Sequence, residues 1–337
     1  MSLCLELNEL NMIQKKFGNS EIDLSVMGLG LAALGRPGYI NLGHGDDLQH
    51  TYDEAQMASN THVLLDLARQ SGVNYFDAAQ SYGKAEVFLS SWLRQNRDPD
   101  VNVGSKWGYY YTADWSVNAE HHEIKEHTVD RLNQQWPESE SRLKPNLMLY
   151  QIHSATFESG ILENTEVLER LEEIRQQGYI IGLSLSGTRQ AAVLEAALKI
   201  KIDDQPLFGS VQATYNSLEQ SAGAMLRKAH DLGVGVIVKE GVANGRLTSR
   251  NQQANYIRTL SDMARDYQVG VDAIALAYIL SKPFVNVVLS GAAKETHLVE
   301  NLKAAELTLS SNDVQKLDQL AMPPAVYWDE RKALSWN

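Results

Sequence analysis

The chain of 337 residues has one cysteine, Cys4. A single thiol excludes an intrachain disulfide, so a reducing compartment is expected, by default the cytoplasm. A thiol nucleophile is not expected either, because an N-terminal arm seldom supplies the electropositive pocket that activates one. Positive charge is also short. Thirty Lys and Arg stand against 42 Asp and Glu, a formal net charge of −12. Phosphate backbones are gripped by clustered Lys and Arg, and no basic stripe occurs, so no nucleic-acid partner is expected. No apolar run approaches the roughly 18 residues of a membrane span, and the start lacks a signal-peptide pattern. No membrane association is expected. Internal repeats, low-complexity tracts and an interdomain linker are missing too, as is a GxGxxG behind an early strand. That last absence weakens an open dinucleotide-binding sheet.

What is present is a large apolar share, 44% of residues, arranged in two alternating rhythms. Short apolar or period-2 runs at 25–29, 73–77, 101–106, 146–152, 180–185, 208–214, 234–239 and 285–290 predict strands. Stretches of 3.6-residue periodicity near 57–71, 84–96, 119–135, 161–177, 188–201, 219–232 and 255–268 predict helices between them. Eight such alternations favour a closed (β/α)8 TIM barrel, an α/β fold, over an open sheet. One domain is expected over residues 1–337. KFGNSEID, within about 13–24, predicts a β-hairpin that plugs the barrel floor. Further helices are predicted at 271–281, 294–306 and 310–320, before a Pro- and Trp-containing tail at about 321–337. GLGLAALG at 28–35 reads as a loop, since its glycines miss the phosphate-binding spacing and Pro37 prevents a helix from opening there. The long loops at 36–56 and 107–118 are expected at the barrel mouth.

Polar residues at three strand ends carry the chemistry. VNYFDAAQSY runs out at Asp77 and reaches Tyr82 five residues later, NVGSK ends in Lys106, and LMLYQIH ends in His153. Each alone has a plain structural reading: an ion pair, a turn aromatic, a satisfied histidine. Ending successive strands of one parallel sheet, the four would share one face and form a proton-donating site. HHEIKEH at 121–127 invites a metal reading, but His122 and His127 lie five apart, about 140° around a helix, and cannot chelate one ion from one face. A solvated helix face is expected there, and no metal site.

These segments resemble the signatures of the aldo-keto reductases. GVNYFDAAQSYGKAE, VGSKWG, YQIH, GLSLSG, VQATYN and SGAAKETHLVENL occur in family order, and the resemblance runs from about residue 17 to about 320. It implies the same barrel and an NAD(P)-dependent oxidoreductase acting on an aldehyde, ketone or aldose. LGLAALGRPGY and VKEGVANGRL are similar to the aldose 1-dehydrogenase branch. By resemblance Tyr82 is the general acid and base, Lys106 the cation that stabilises its phenolate, Asp77 the group that aims Lys106, and His153 a hydrogen-bond donor to the substrate oxygen. A free phenol titrates near 10, so Lys106 is expected to bring it down. A cofactor-binding regulatory subunit of the potassium-channel β-subunit type is the alternative. A barrel hydrolase lacks a second strand-end carboxylate at suitable spacing.

The resemblance also assigns a cofactor site, with departures. Ser184 and Gln212 match contacts to the nicotinamide carboxamide, whereas Leu185 stands where the family has Asn, leaving Ser186 to substitute. Lys239 and Glu240, before Gly241, replace a stacking aromatic. After the last strand, Gly291, Ala292, Lys294, His297 and Asn301 match the adenosine end, with Gly291 and His297 in place of two cations. NADP(H) is the family default, and the lost cations open NAD(H) as the alternative. The aromatics of the 107–118 loop are either pocket wall or loop anchor, and Trp107, Tyr109 and Trp115 are expected to wall the substrate pocket, for a small carbonyl compound or sugar. The sequence does not define an oligomeric state.

Overall fold

A computed structural model describes residues 12–337, so Cys4 lies outside the described residues. Eight parallel strands close into a barrel: β1 Met27–Gly30, β2 Tyr75–Asp77, β3 Asn102–Trp107, β4 Leu147–Ala155, β5 Ile180–Leu185, β6 Ser210–Thr214, β7 Gly235–Lys239 and β8 Val287–Ser290. Each pairs with its neighbours in sequence, and β8 pairs with β1 to complete the ring. Both faces are covered, which is why these strands read as continuous Val, Ile and Leu runs rather than as strict alternation. The main core lies between the strands and the outer helices. A second cluster fills the interior: Phe17, Leu24, Tyr75, Met148, Leu149, Ile237, Val287 and Leu289.

Phe17 and Leu24 come from the N-terminal hairpin, Gln14–Lys16 paired with Asp23–Ser25. The hairpin does plug the barrel. Phe17 is 1% exposed, and its ring fills space that a Cβ on Gly235 would take. Inside, the Tyr75 side chain rises towards the opposite mouth, where its hydroxyl donates to Asp77 Oδ2 at 3.2 Å. Gly104 permits this, because any Cβ there would collide with the Tyr75 hydroxyl.

The predicted strands and most predicted helices are present within a few residues, and two segments differ. No helix spans 119–135. Tyr109–Tyr111 and Glu123–Lys125 form an antiparallel pair across the β3 exit, and the helix begins after Thr128, running over Val129–Leu143. Thr128 Oγ1 accepts from the Arg131 amide at 3.2 Å, an N-cap that fixes the later start. HHEIKEH is therefore not a solvated helix face. His122 is buried and stacked on Trp336 at 3.9 Å, while His127 is buried against Trp107 with Nε2 bonded to the His153 carbonyl at 2.8 Å. The tail differs as well. Pro324–Lys332 is a helix opening on its proline, where the ring removes no hydrogen bond and presets φ.

Candidate active site

Asp77, Lys106 and His153 meet Tyr82 at the C-terminal mouth of the barrel. Asp77 ends β2, Lys106 lies near the end of β3, and His153 lies near the end of β4. Lys106 Nζ donates to Asp77 Oδ1 and, at 2.9 Å, to the Ala78 carbonyl. The pair is sealed, with Lys106 1% and Asp77 2% exposed. Asp77 Oδ2 takes two more donors, the Tyr75 hydroxyl and Gln212 Nε2 at 2.8 Å, so the carboxylate is fully occupied. Lys106 Nζ stands 5.0 Å from the centre of the Tyr82 ring. Tyr82 and His153 meet edge to face at 5.4 Å, and both line the cleft above.

Tyr82 is placed by a tight turn rather than by a strand. Gly83 takes φ +60°, and a Cβ at Gly35 would strike the Tyr82 carbonyl, so two glycines let the β1 loop close against this turn. Arg36 completes it, donating to the Ser81 carbonyl at 3.1 Å and to Glu123 at 2.8 Å while its guanidinium lies 5.2 Å from the Tyr82 ring centre. On β4 the register breaks between Ile152 and Ala155, Ser154 adopts φ 50°, and the Ser154 amide donates to Ser184 Oγ at 2.8 Å. Such irregularities gather near functional sites, and this one lies beside His153. Ser81 Oγ contacts His153 Nδ1 at 3.3 Å.

Burial pushes the Tyr82 phenol well above 10; the Asp77 charge adds to this and Arg36 opposes it. Arg36 is the cation that opposes this most, while the Lys106 ammonium is paired with Asp77. Burial also holds the His153 imidazole well below 6.5, with Lys106, Arg36 and Lys239 acting the same way. Both groups are therefore neutral at neutral pH.

From this end a cleft of about 440 Å³ runs across the mouth to Asn301. Ser186, Gln212, Lys239, Gly241, Gly291, Ala292, His297 and Asn301 all line it. Ser184 is fully buried beneath Ser154 and does not. Lys239 donates to Thr214 Oγ1 at 2.8 Å and Ser186 Oγ at 3.2 Å, and burial brings it down to about 8 against the pull of Glu240. Burial would raise Glu240, but Arg331, Lys239 and hydrogen bonds outweigh it and hold the carboxyl at about 2. At the far end, Asn301 donates to Asp272 Oδ2 at 2.8 Å and accepts from Ser290 Oγ at 2.9 Å. Lys294 pairs with Asp47 at 3.3 Å.

The expected aromatic wall is drawn elsewhere. Trp107 is fully buried, and Trp115 packs on Phe88 with its indole N–H donated to the Tyr52 carbonyl at 2.6 Å. Trp107, at the end of β3, packs on His127, and Trp115 ties its loop to Phe88 and Tyr52, so both act as anchors rather than as cleft wall. Tyr109 reaches His153, with ring centres 4.8 Å apart. The cleft is walled instead by Tyr39, Glu123, Arg331 and Trp336. Sequence reading missed these residues together with Arg36. They sit on the β1 loop, the strand Glu123–Lys125 and the tail, which converge only in three dimensions, and no periodicity marks them.

A closed (β/α)8 barrel with a polar cleft at its C-terminal mouth defines the class. The sequence profile of the Aldo/keto reductase family matches residues 27–322, and the chain belongs to that family. It is 26% identical over 319 residues to the "Uncharacterized oxidoreductase YqkF" of Bacillus subtilis, covering 87% of this chain and 91% of that protein. It is 24% identical over 298 residues to the "Aldo-keto reductase ausK" of Emericella nidulans, covering 76% and 71%. Among solved structures, the aldo-keto reductase AKR11C1 from Bacillus halodurans in its holo form superposes with TM-score 0.70 at 22% identity, covering 93% of this chain and 97% of that one. Membership implies an enzyme of NAD(P)-dependent carbonyl oxidoreduction.

Proposed function

We propose that the chain interconverts a small aldehyde, ketone or aldose with its alcohol, with Tyr82 as general acid and base. The observation that supports this best is the convergence of Tyr82 and His153 at one end of the cleft, backed by the sealed Lys106–Asp77 pair. A nicotinamide dinucleotide fits the residues present. Gln212 and Ser186 offer amide and hydroxyl groups at the Tyr82 end, and Gly291, Ala292 and Ala293 leave backbone close to the cleft before the helix Glu295–Leu302. Small side chains there let an anion approach the helix N-terminus. When bound, the dinucleotide supplies the hydride.

The protein's own groups handle the oxygen. Ser81 Oγ lies within hydrogen-bond reach of His153 Nδ1, and the tautomer this mechanism assigns, with the proton on Nε2, lets Ser81 donate to Nδ1 while Nε2–H donates to the carbonyl oxygen. Tyr82 Oη then delivers its proton to that oxygen. The resulting phenolate lies beside the Lys106 ammonium and the Arg36 guanidinium, whose charges repay its burial. In the oxidative direction the same phenolate accepts the alcohol proton. Glu123 and Arg331 beside Tyr39 and Trp336 suit a substrate with hydroxyl groups near its carbonyl better than a purely apolar one. Absorbance at 340 nm, followed with aldehyde, ketone and aldose panels in both directions, should show turnover. Tight dinucleotide binding with no turnover on any panel would favour the regulatory-subunit reading instead.

A further inference from the structure

One carboxylate that the sequence reading did not place stands among the basic groups beyond β8. Asp47 closes the short helix His44–Asp47 in the loop after β1, far in sequence from β8, and its side chain is 8% exposed. Three basic groups converge on it. Arg250 Nη2 pairs with Asp47 Oδ1, Lys294 Nζ lies 3.3 Å from the same oxygen, and His297 Nδ1 lies 3.7 Å from Oδ2. Burial holds His297 below its ordinary 6.5 although Asp47 opposes this, so Arg250 and Lys294 carry the positive charge at neutral pH. Asp47, Arg250 and His297 all line the adenosine end of the cleft with Ala292 and Asn301.

The carboxylate is built in. Arg250 also donates to the Leu42 carbonyl, the Leu42 amide donates to the Asn244 carbonyl at 3.0 Å, and the Gly45 amide donates to Asn337 Oδ1 at 3.0 Å. The loop is thus tied to the segment after β7 and to the tail. A 2′-phosphate brought to Lys294 and Arg250 meets a negative charge that already holds both. A ribose 2′-hydroxyl meets an acceptor, the role an acidic side chain plays for NAD in other dinucleotide sites.

We propose that Asp47 is the residue that sets nucleotide choice in this chain, selecting NADH over NADPH. The inference rests on the cleft being the dinucleotide site proposed above. Of the two nucleotides the sequence left open, it selects the alternative to the family default. The test is a fluorescence titration of the full chain with NADH and NADPH, repeated calorimetrically with 5′-ADP and adenosine 2′,5′-bisphosphate. The unaltered protein should bind NADH and 5′-ADP at least tenfold more tightly than their 2′-phosphorylated counterparts. Asp47→Asn should tighten NADPH and the bisphosphate at least tenfold while leaving NADH unchanged or weaker. A native preference for NADPH would overturn the assignment whether or not the variant folds, as would an Asp47→Asn effect equal for both nucleotides. Binding of neither nucleotide would overturn the dinucleotide reading itself, and this inference with it.

Discussion

Asp77 holds together more than its own ion pair. Its two oxygens engage Lys106, Tyr75 and Gln212, so the groups behind and beside Tyr82 are fixed through one carboxylate. Around that anchor the reacting pair is kept neutral, Tyr82 by burial and the Asp77 charge, and His153 by burial and surrounding cations. The pH dependence follows from these directions. Because the folded-state value of His153 is depressed, its ring stays uncharged as pH falls through 6.5, and carbonyl reduction should show no acid limb there. Because the Tyr82 value is raised, reduction should not decline on the alkaline side until well past neutrality. A kcat profile measured from mildly acidic to alkaline buffer checks both, and a limb centred near 6.5 would count against a neutral His153. Of this site, Asp77, Lys106 and His153 were legible because polar groups terminating apolar strands stand out in sequence, and Tyr82 through the family signature that carries it five residues beyond Asp77. Arg36 was not, since a buried loop arginine has no pattern until its aromatic and acidic neighbours are known.

Among the elements, the C-terminal helix Pro324–Lys332 brings Arg331 and Lys332 to the cleft. Arg331 forms a two-pronged pair with Glu240, the residue after β7, and Asn216 Nδ2 donates to the Tyr327 hydroxyl at 3.0 Å. Arg246 lies 4.1 Å from the Tyr327 ring centre and is held by Glu330 at 3.0 Å, so it is committed to this docking. Glu240 is held near 2, below an ordinary carboxyl, so its contribution is complete above about 4.5 and is lost as pH falls towards 2. A shift of that size corresponds to roughly 3 kcal/mol. Glu240→Gln should therefore melt lower than the native protein at pH 7, with the gap shrinking as melts are repeated towards pH 3; a constant gap would remove Glu240 from the linkage. Sequence periodicity found the barrel helices but not this one, since paired prolines read as loop punctuation until the second is seen at a helix start. The misplaced helix at 119–135 has a related cause: charged residues such as Glu123 and Lys125 suit either state, and only pairing with Tyr109–Tyr111 decides.

The molecule as a whole separates stability from chemistry along the barrel axis. Hairpin, Phe17 and the apolar interior lie at one end, and the irregular backbone at Ser154 and Glu240 lies at the other. Phe17→Ala removes a ring that is 1% exposed and leaves a cavity against Gly235, which should cost about 3–5 kcal/mol in denaturant unfolding. Turnover per folded molecule should stay near the native value, and a large fall in kcat at full folding would show that the two ends are coupled. The barrel itself was legible because eight apolar runs at helix-length intervals leave few alternatives. The nucleotide end was not, because Asp47 and Lys294 are 247 positions apart and their ion pair exists only once the ring closes.

The proton-donor role of Tyr82 is tested most directly by Tyr82→Phe, measured as kcat for reduction of an accepted aldehyde alongside dinucleotide affinity. The ring and its contacts with His153 and Arg36 are retained, and only the hydroxyl is lost. The mechanism predicts that kcat falls by roughly 10²–10⁴ while nucleotide affinity stays at the native value. A variant that turns over at the native rate would contradict it.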